Sequence, residues 1–413
     1  MIRQPKGLRW AALGLVAVLG LVAASCTDDN VDSGSSDSGG GGAEALDGEV
    51  KLGFTADLSG RFSGNGIGLR NGFQAYVDYA NENGGFGGKK GVAVILDDAS
   101  DTPRGVANVT QMITQDQVTA VGGFLLSNIC SAAEPLATTS KVPLMCSSVS
   151  GDLLDPVKPV IFTQSPSQDF EAKPMADMAN QVTKMEKGQK VALVTFASAA
   201  SLTLRDEWLK IAEDRDWDVV VDAQVPLTAT DVSAQAAQIA GAKPDVVLTS
   251  LADTLQILLM RQLKSEGADM PVVNYDGSST QALNTLQDPN YNLLSSFAYT
   301  DETDGYKDYA KIITDAGFKP LDPFVNRGYL QAMMFKKAMD ACKACTGDDL
   351  IKAIEALDFD TEGFTAGPVK FTADNHRGQD TYYVYSWDAA KSAIVPVATD
   401  LKSGRAEDAA AEQ

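Results

Sequence analysis

The chain contains one histidine, His376, among 413 residues. A zinc site draws on several His and Cys ligands at fixed spacings, and no second cysteine pair stands at zinc spacing, so no metal is expected. A hydrolase triad also needs its histidine, and no G-x-S-x-G elbow is present to display a serine. His376 lies in the turn-like "TADNHRGQD" and reads as a solvated surface residue. Basic residues are scarce too: 34 Lys and Arg stand against 55 Asp and Glu, a net charge of −21. That balance repels phosphate backbones and argues against nucleic acid as a partner. Usable nucleotide loops are missing. In "SGNGIGLRNG", Gly66 and Gly68 are followed by Gly72, one residue late for the dinucleotide spacing. In "GGFGGKKG", Lys89 is followed by Lys90 with no Ser or Thr. Both stretches read as turns. Nothing pairs a nucleophile with a base, so neither a cofactor nor an enzyme activity is expected.

Long apolar runs are confined to one place. From Ala11 to Ala24 there are fourteen small or apolar residues. As a helix they would rise about 21 Å, short of the roughly 30 Å hydrocarbon core. Arg3, Lys6 and Arg9 precede the run and no acid does, which is the layout of a secretory signal. It ends in Ala23-Ala24-Ser25-Cys26, which resembles the lipobox of a bacterial lipoprotein, with Ala23 where leucine is more usual. Residues 1–25 are expected to be a lipoprotein signal peptide and Cys26 the lipidated residue. A plain signal peptide cut beside Cys26 is the alternative. Residues 26–48, rich in Gly, Ser and Asp, bury too little apolar surface to order and read as a disordered linker. The expected location is extracytoplasmic, lipid-anchored to the cell membrane.

Four further cysteines remain: Cys130, Cys146, Cys342 and Cys345. An even number in an exported chain suggests two disulfides. Of three possible pairings we favour Cys130–Cys146 with Cys342–Cys345. The second pair forms "CKAC", a spacing also used in redox motifs. It follows a long helical run, though, where a thioredoxin-like site opens a helix after a strand.

Apolar runs of strand length alternate with helix-period segments. "VKLGFTA", "GVAVILDD", "VTAVGGFL" and "VPLMCS" form one series of strands, roughly 50–165. "KVALVTF", "WDVVVDAQV", "PDVVLTS" and "PVVNY" form a second, roughly 168–275. Strands rich in Val, Leu and Ile without polar alternation suit parallel sheets covered on both faces. The remainder holds helical runs near 304–316 and 325–342, then the short strands "GPVKFTA", "DTYYVYSW" and "AIVPVA". The fold class is α/β, with two doubly wound Rossmann-like lobes and a tail that returns to both. Ligands of such lobes bind at strand carboxyl ends, in the cleft between them.

Three polar positions lie where that cleft would be. Ser127 follows a strand and opens a helix, whose free N–H groups favour a carboxylate; a plain N-cap serine is the alternative. Ser150 holds the next strand-to-loop position and offers a second hydroxyl, or is a simple loop serine. Asp276, in "NYDGSS", follows the last strand of the second series. Its carboxylate is placed to face a ligand ammonium, or to stabilise a turn before Gly277.

The first series is similar throughout to the leucine/isoleucine/valine-type substrate-binding proteins of ABC importers. Ser59-Gly60, Gly66, Asn71-Gly72, "ANENGGFGGKKG" and "LDDASD" carry the likeness, and "AKPDVVL" with "LLMRQLKSEG" extend it into the second lobe. It covers about 49 to 390. The resemblance implies the type I periplasmic-binding-protein fold, two lobes joined by three hinge crossovers near Gln164–Gln168, Asn274–Ser278 and Gly363–Thr372. Lobe 1 would then be 49–165 plus about 278–362, lobe 2 166–277 plus about 372–402, and 403–413 a disordered tail. Ser127 and Ser150, with Ser148 beside them, fall on the positions that hold an acidic group in amino-acid-binding members, and Asp276 on the one that holds the ammonium. Asn65 and Phe62 would sit at the rim. Family ring positions are replaced by Ala200-Ser201, Ala252 and Asn65, which implies a larger or wetter pocket. The resemblance implies a monomeric binding protein that captures an amino acid or related carboxylate or amide and delivers it to an ABC permease. The other role open to this fold is a ligand-sensing protein working with a membrane signalling partner.

Overall fold

A computed structural model describes residues 48–147, 150–183, 188–342 and 345–411. The chain builds lobe 1 with β1 (Glu49–Ala56), α1 (Ser63–Glu82), β2 (Lys90–Asp97), α2 (Thr102–Gln111), β3 (Ala120–Gly123), α3 (Ser127–Ser140), β4 (Leu144–Met145) and β5 (Ile161–Phe162). It enters lobe 2 with α4 (Ala172–Thr183), β6 (Lys190–Phe196), α5 (Ala199–Asp214), β7 (Asp218–Val225), α6 (Ser233–Ala242), β8 (Val246–Ser250), α7 (Asp253–Ser265), β9 (Val272–Asn274), α8 (Thr280–Leu286) and β10 (Tyr291–Ser295). It returns to lobe 1 as α9 (Asp304–Asp315), α10 (Pro323–Cys342), α11 (Asp348–Glu355), β11 (Asp358–Phe359) and β12 (Val369–Lys370). It ends in lobe 2 as β13 (Thr381–Asp388), β14 (Ala393–Lys402) and α12 (Ala406–Ala411).

The lobe 1 sheet runs β2-β1-β3-β4-β5, and every pairing in it is parallel. The lobe 2 sheet runs β14-β13-β10-β9-β8-β6-β7, parallel except where β13 and β14 join antiparallel at one edge. Helices cover both faces, which is why strands such as β6 and β8 are buried nearly end to end. Helix α10 packs along α1 at very short range. A Cβ on Gly72 would lie 1.9 Å from the Val325 carbonyl oxygen, and one on Gly328 1.9 Å from that of Leu69. Only paired glycines allow backbones so close.

Three expected boundaries move. The second crossover is not at Asn274–Ser278: α8 and β10 add one more helix–strand unit to lobe 2, with Tyr291 in register with Val272. The chain crosses instead around Ser295–Tyr299, where Phe297 joins the lobe 1 core. The third crossover lies beyond Gly363–Thr372, because Phe364, Val369 and Phe371 are still in the lobe 1 core and β13 begins only at Thr381. The described residues of the 403–413 tail are ordered. Helix α12 buries Ala406 and Ala409 against lobe 2, and the Ala406 N–H donates to Glu207 Oε2 at 2.9 Å. After β5, Gln331 of α10 donates to Gln164 Oε1 at 3.0 Å.

His376 is buried, not solvated. Its carbonyl accepts from the Thr163 N–H at 3.0 Å, so the apparent turn is a segment paired with the first crossover. The imidazole stacks on Phe162 at 4.0 Å and donates through Nδ1 to the Ile161 carbonyl at 2.8 Å. Burial pushes its pKa down, against the pull of the Ile161 carbonyl and of Glu355, 3.4 Å from Nε2.

Candidate ligand cleft

The loops after the parallel strands face one another across the lobes. In lobe 1, the loop from β1 to α1 is shaped by two acids. Asp57 is fully buried, and its carboxylate accepts from the N–H groups of Gly60 and Phe62 and from Ser100 Oγ. Asp97 accepts from the Leu58 N–H at 2.8 Å, Ser59 Oγ at 2.6 Å and Arg104. Desolvation is the largest single influence and raises its pKa, but the bonds from Ser59, Leu58 and Ala99 and the Arg104 charge together hold the Asp97 carboxyl below its usual range. Asp57 and Asp97, the first acid of "LDDASD", therefore organise the loop. The loop carries Phe62 and the first turn of α1 carries Asn65, both half-buried. Next to them Arg61 lies 4.9 Å over the Phe62 ring and donates to the Leu227 carbonyl of lobe 2.

Ser127 is the first residue of α3, half-buried, and is not an N-cap: Leu126 holds that position and no side chain caps the helix. Its hydroxyl and the helix N-terminus are aligned at the carboxyl end of β3. Cys130, one turn on, is bonded to Cys146 at the end of β4, and Cys342 to Cys345 at the end of α10, the two expected pairings. The first bond ties α3 to the strand that leads to the other serines. Ser150 is half-buried before a short 3-10 turn, with its carbonyl accepting from Leu153. Ser148 lies outside the described residues, as do residues 1–25 and Cys26. Ser147 was not anticipated. It is buried at the β4 end, and its Oγ has no protein partner among the described residues.

In lobe 2, Asp276 stands at the carboxyl end of β9, only 1% exposed. Its carboxylate is not free. Ser296 donates to it through N–H at 3.1 Å and Oγ at 2.6 Å, and Arg327 of lobe 1 donates through Nη2 at 3.2 Å. The same nitrogen donates to the Asp276 carbonyl at 2.6 Å. Glu171 completes the group by accepting from the Asp276 N–H at 3.0 Å. Burial lifts the Glu171 carboxyl well above the usual carboxylate range, and the neighbouring Asp276 charge adds to the rise. Burial also raises Asp276, opposed by Arg327 and Ser296. Neither Glu171 nor Arg327 was singled out from sequence. The available signal was Asn326, Arg327 and Gln331, three polar residues within the apolar first half of α10. Ala200 and Ala252 are half-buried at the starts of α5 and α7.

Among the described residues no helix is long and apolar enough to cross a membrane, and no cluster of three or more His, Cys, Asp or Glu side chains is placed to hold a metal ion. Residues 49–392 match the family model for periplasmic binding proteins. A Leu/Ile/Val-binding protein, BraC3, of Rhizobium johnstonii is 24% identical over 349 residues, 83% of this chain and 93% of its own. The structure of LivJ, a branched-chain amino acid transporter substrate-binding protein from Streptococcus pneumoniae in complex with isoleucine, superposes with a TM-score of 0.71 at 25% identity, over 84% of this chain and 99% of that one. A fatty acid ABC transporter substrate-binding protein from Thermomonospora curvata gives 0.74 at 22% identity, over 87% and 94%. The architecture is the type I fold, two parallel-sheet lobes joined by three crossovers, and its family binds solutes for ABC transporters and is not a family of enzymes. The chain belongs to the periplasmic binding protein family.

Proposed function

We propose that this chain is a lipid-anchored, extracytoplasmic binding protein that captures a small polar metabolite between its lobes and hands it to the membrane permease of an ABC importer. One observation carries the reading: Arg327 of lobe 1 reaches Asp276, just past the carboxyl end of β9 in lobe 2, at 3.2 Å, so the two lobes meet at a strand end. Ser127, Ser148 and Ser150, with the α3 N-terminus, hold the solute's acidic group, and Phe62 and Asn65 form the rim. Asp276 lies in the floor. The isoleucine and benzoate bound by solved proteins of this fold support an amino acid or carboxylate as the solute. Closure follows from affinity, because the solute shifts the lobes only as far as it contacts the closed state better. The chain works as a monomer, tethered through Cys26.

The test is a thermal-shift screen of the soluble chain from Asp28 against amino acids, amides and small carboxylates, followed by titration calorimetry. A solute at one hundred times its dissociation constant adds about 2.7 kcal/mol to stability. Ser127→Ala and Ser150→Ala should each weaken the hit at least tenfold. Unchanged affinity in both removes the serine face from the site. Cys26→Ser should release the full-length protein from the membrane fraction; retention there refutes the tether.

A further inference from the structure

The floor of the cleft already contains a cation. Arg327 projects from α10 of lobe 1, with its guanidinium 5.5 Å over the Phe324 ring, and reaches Asp276 of lobe 2. It is 9% exposed. The Asp276 carboxylate accepts two bonds from Ser296 and one from Arg327, so the donors that a ligand ammonium would supply are in place before any ligand arrives. Arg327 is the side that is short of partners: its Nε is buried with no acceptor among the described residues.

Glu171 is the other acid in contact, and burial, with the neighbouring Asp276 charge, lifts its carboxyl well above the usual carboxylate range. Tyr275, Tyr299 and Tyr382 are buried around the group, and desolvation pushes their ionisation up, so they stay neutral. The Arg327 guanidinium and the Asp276 carboxylate are paired with each other. An ammonium brought to this floor meets a like charge in a poorly screened environment, whereas a carboxylate meets a donor-rich one.

We infer that Arg327 is an internal counter-cation that closes the ammonium subsite at Asp276, so that the solute of this protein is a small organic acid lacking an amino group. The inference rests on the interlobe cleft being the solute site. Ala200 and Ala252, in place of the rings that the family resemblance implied, are consistent with a larger pocket for the body of such an acid.

The experiment uses matched pairs that differ only in the amino group: 4-methylpentanoate against L-leucine, and 3-phenylpropanoate against L-phenylalanine. Each is titrated into the soluble chain from Asp28 by calorimetry at about neutral pH, where the carboxylic acids are ionised and the amino acids carry their ammonium. The acid of at least one pair should bind at least tenfold more tightly than its amino acid. Arg327→Gln, which keeps a hydrogen-bonding head without the charge, should narrow that ratio at least tenfold by freeing Asp276 for the ammonium. If that variant loses its cooperative melt, the wild-type ratio decides alone. Amino acids binding as tightly as their acids, or more so, overturn the inference and leave the importer reading standing. No heat from any member of either pair, together with no hit in the wider screen, overturns both.

Discussion

Removing the Cys130–Cys146 bond should cost more than removing Cys342–Cys345, and should cost function as well as stability. The first bond closes a loop with a sequence separation of 16, the second one of 3. Chain entropy puts these at about 3 and about 2 kcal/mol. Cys130 and Cys146 are also fully buried in the lobe 1 core, and losing their sulfurs adds roughly 1–2 kcal/mol. Cys342 and Cys345 are only half-buried. With an unfolding entropy near 2.1 cal/mol/K per residue, the folded chain should lose about 5–6 °C in the Cys130→Ala/Cys146→Ala variant and about 2–3 °C in the Cys342→Ala/Cys345→Ala variant. Scanning calorimetry at one scan rate measures both. The first variant should also bind solute more weakly, since that bond fixes α3 and Ser127 against the strand leading to Ser150. Equal losses, the reverse order, or an unaltered affinity in the first variant would refute this account.

Gly72→Ala should destabilise by about 1–3 kcal/mol, because its Cβ runs into the Val325 carbonyl. Gly64→Ala near the start of the same helix, with nothing within 4 Å of its Cβ, should be neutral or slightly stabilising; similar urea midpoints for the two would contradict the packing argument. Glu171 has a raised folded pKa, so its native proton costs stability progressively as pH rises above the ordinary carboxyl value, at about 1.4 kcal/mol per unit until the folded pKa is reached. Glu171→Gln should therefore raise Tm at pH 8 more than at pH 5, and a constant difference would show that Glu171 is ionised in the fold. Ending the chain after Ser403 removes α12 and Arg405, whose guanidinium bridges Asp169 of lobe 2 and Asp155 of lobe 1. A loss of roughly 2–4 kcal/mol is expected from the uncompensated Asp169 and the stripped helix surface, and an unchanged melt would return the segment to the status of a tail.

The strand–helix alternation was legible because parallel strands covered on both faces leave continuous apolar runs; "KVALVTF" coincides with β6, Lys190–Phe196. The positions of Ser127, Ser150 and Asp276 beyond strand ends were legible for a related reason, since the strand runs fix where each strand stops. The second crossover was not. Helix α8 has seven residues and β10 five, too few turns of either period to stand out beside the turn residues Asp288 and Pro289. His376 misled because its neighbours are turn formers, while its burial depends on Ile161, 215 residues earlier in the chain. Helix α12 buries only alanines, so its sequence has no hydrophobic signature. Arg327 matters through Asp276, a contact between elements of different lobes that no local pattern encodes.

Three crossovers also set a timetable for synthesis. Lobe 1 lacks α9, α10 and α11 until the last third of the chain has emerged, yet α10 supplies Tyr329, Leu330, Met334 and Phe335 to its core. Lobe 2 lacks β13, which covers the flank of β10, until later still. Neither half is a finished unit when the ribosome has made what looks like one. Both expose unmatched strand edges and bare helix faces for most of translation, so a nascent chain of this design depends on staying unfolded, or on being shielded, until nearly its last residue is made.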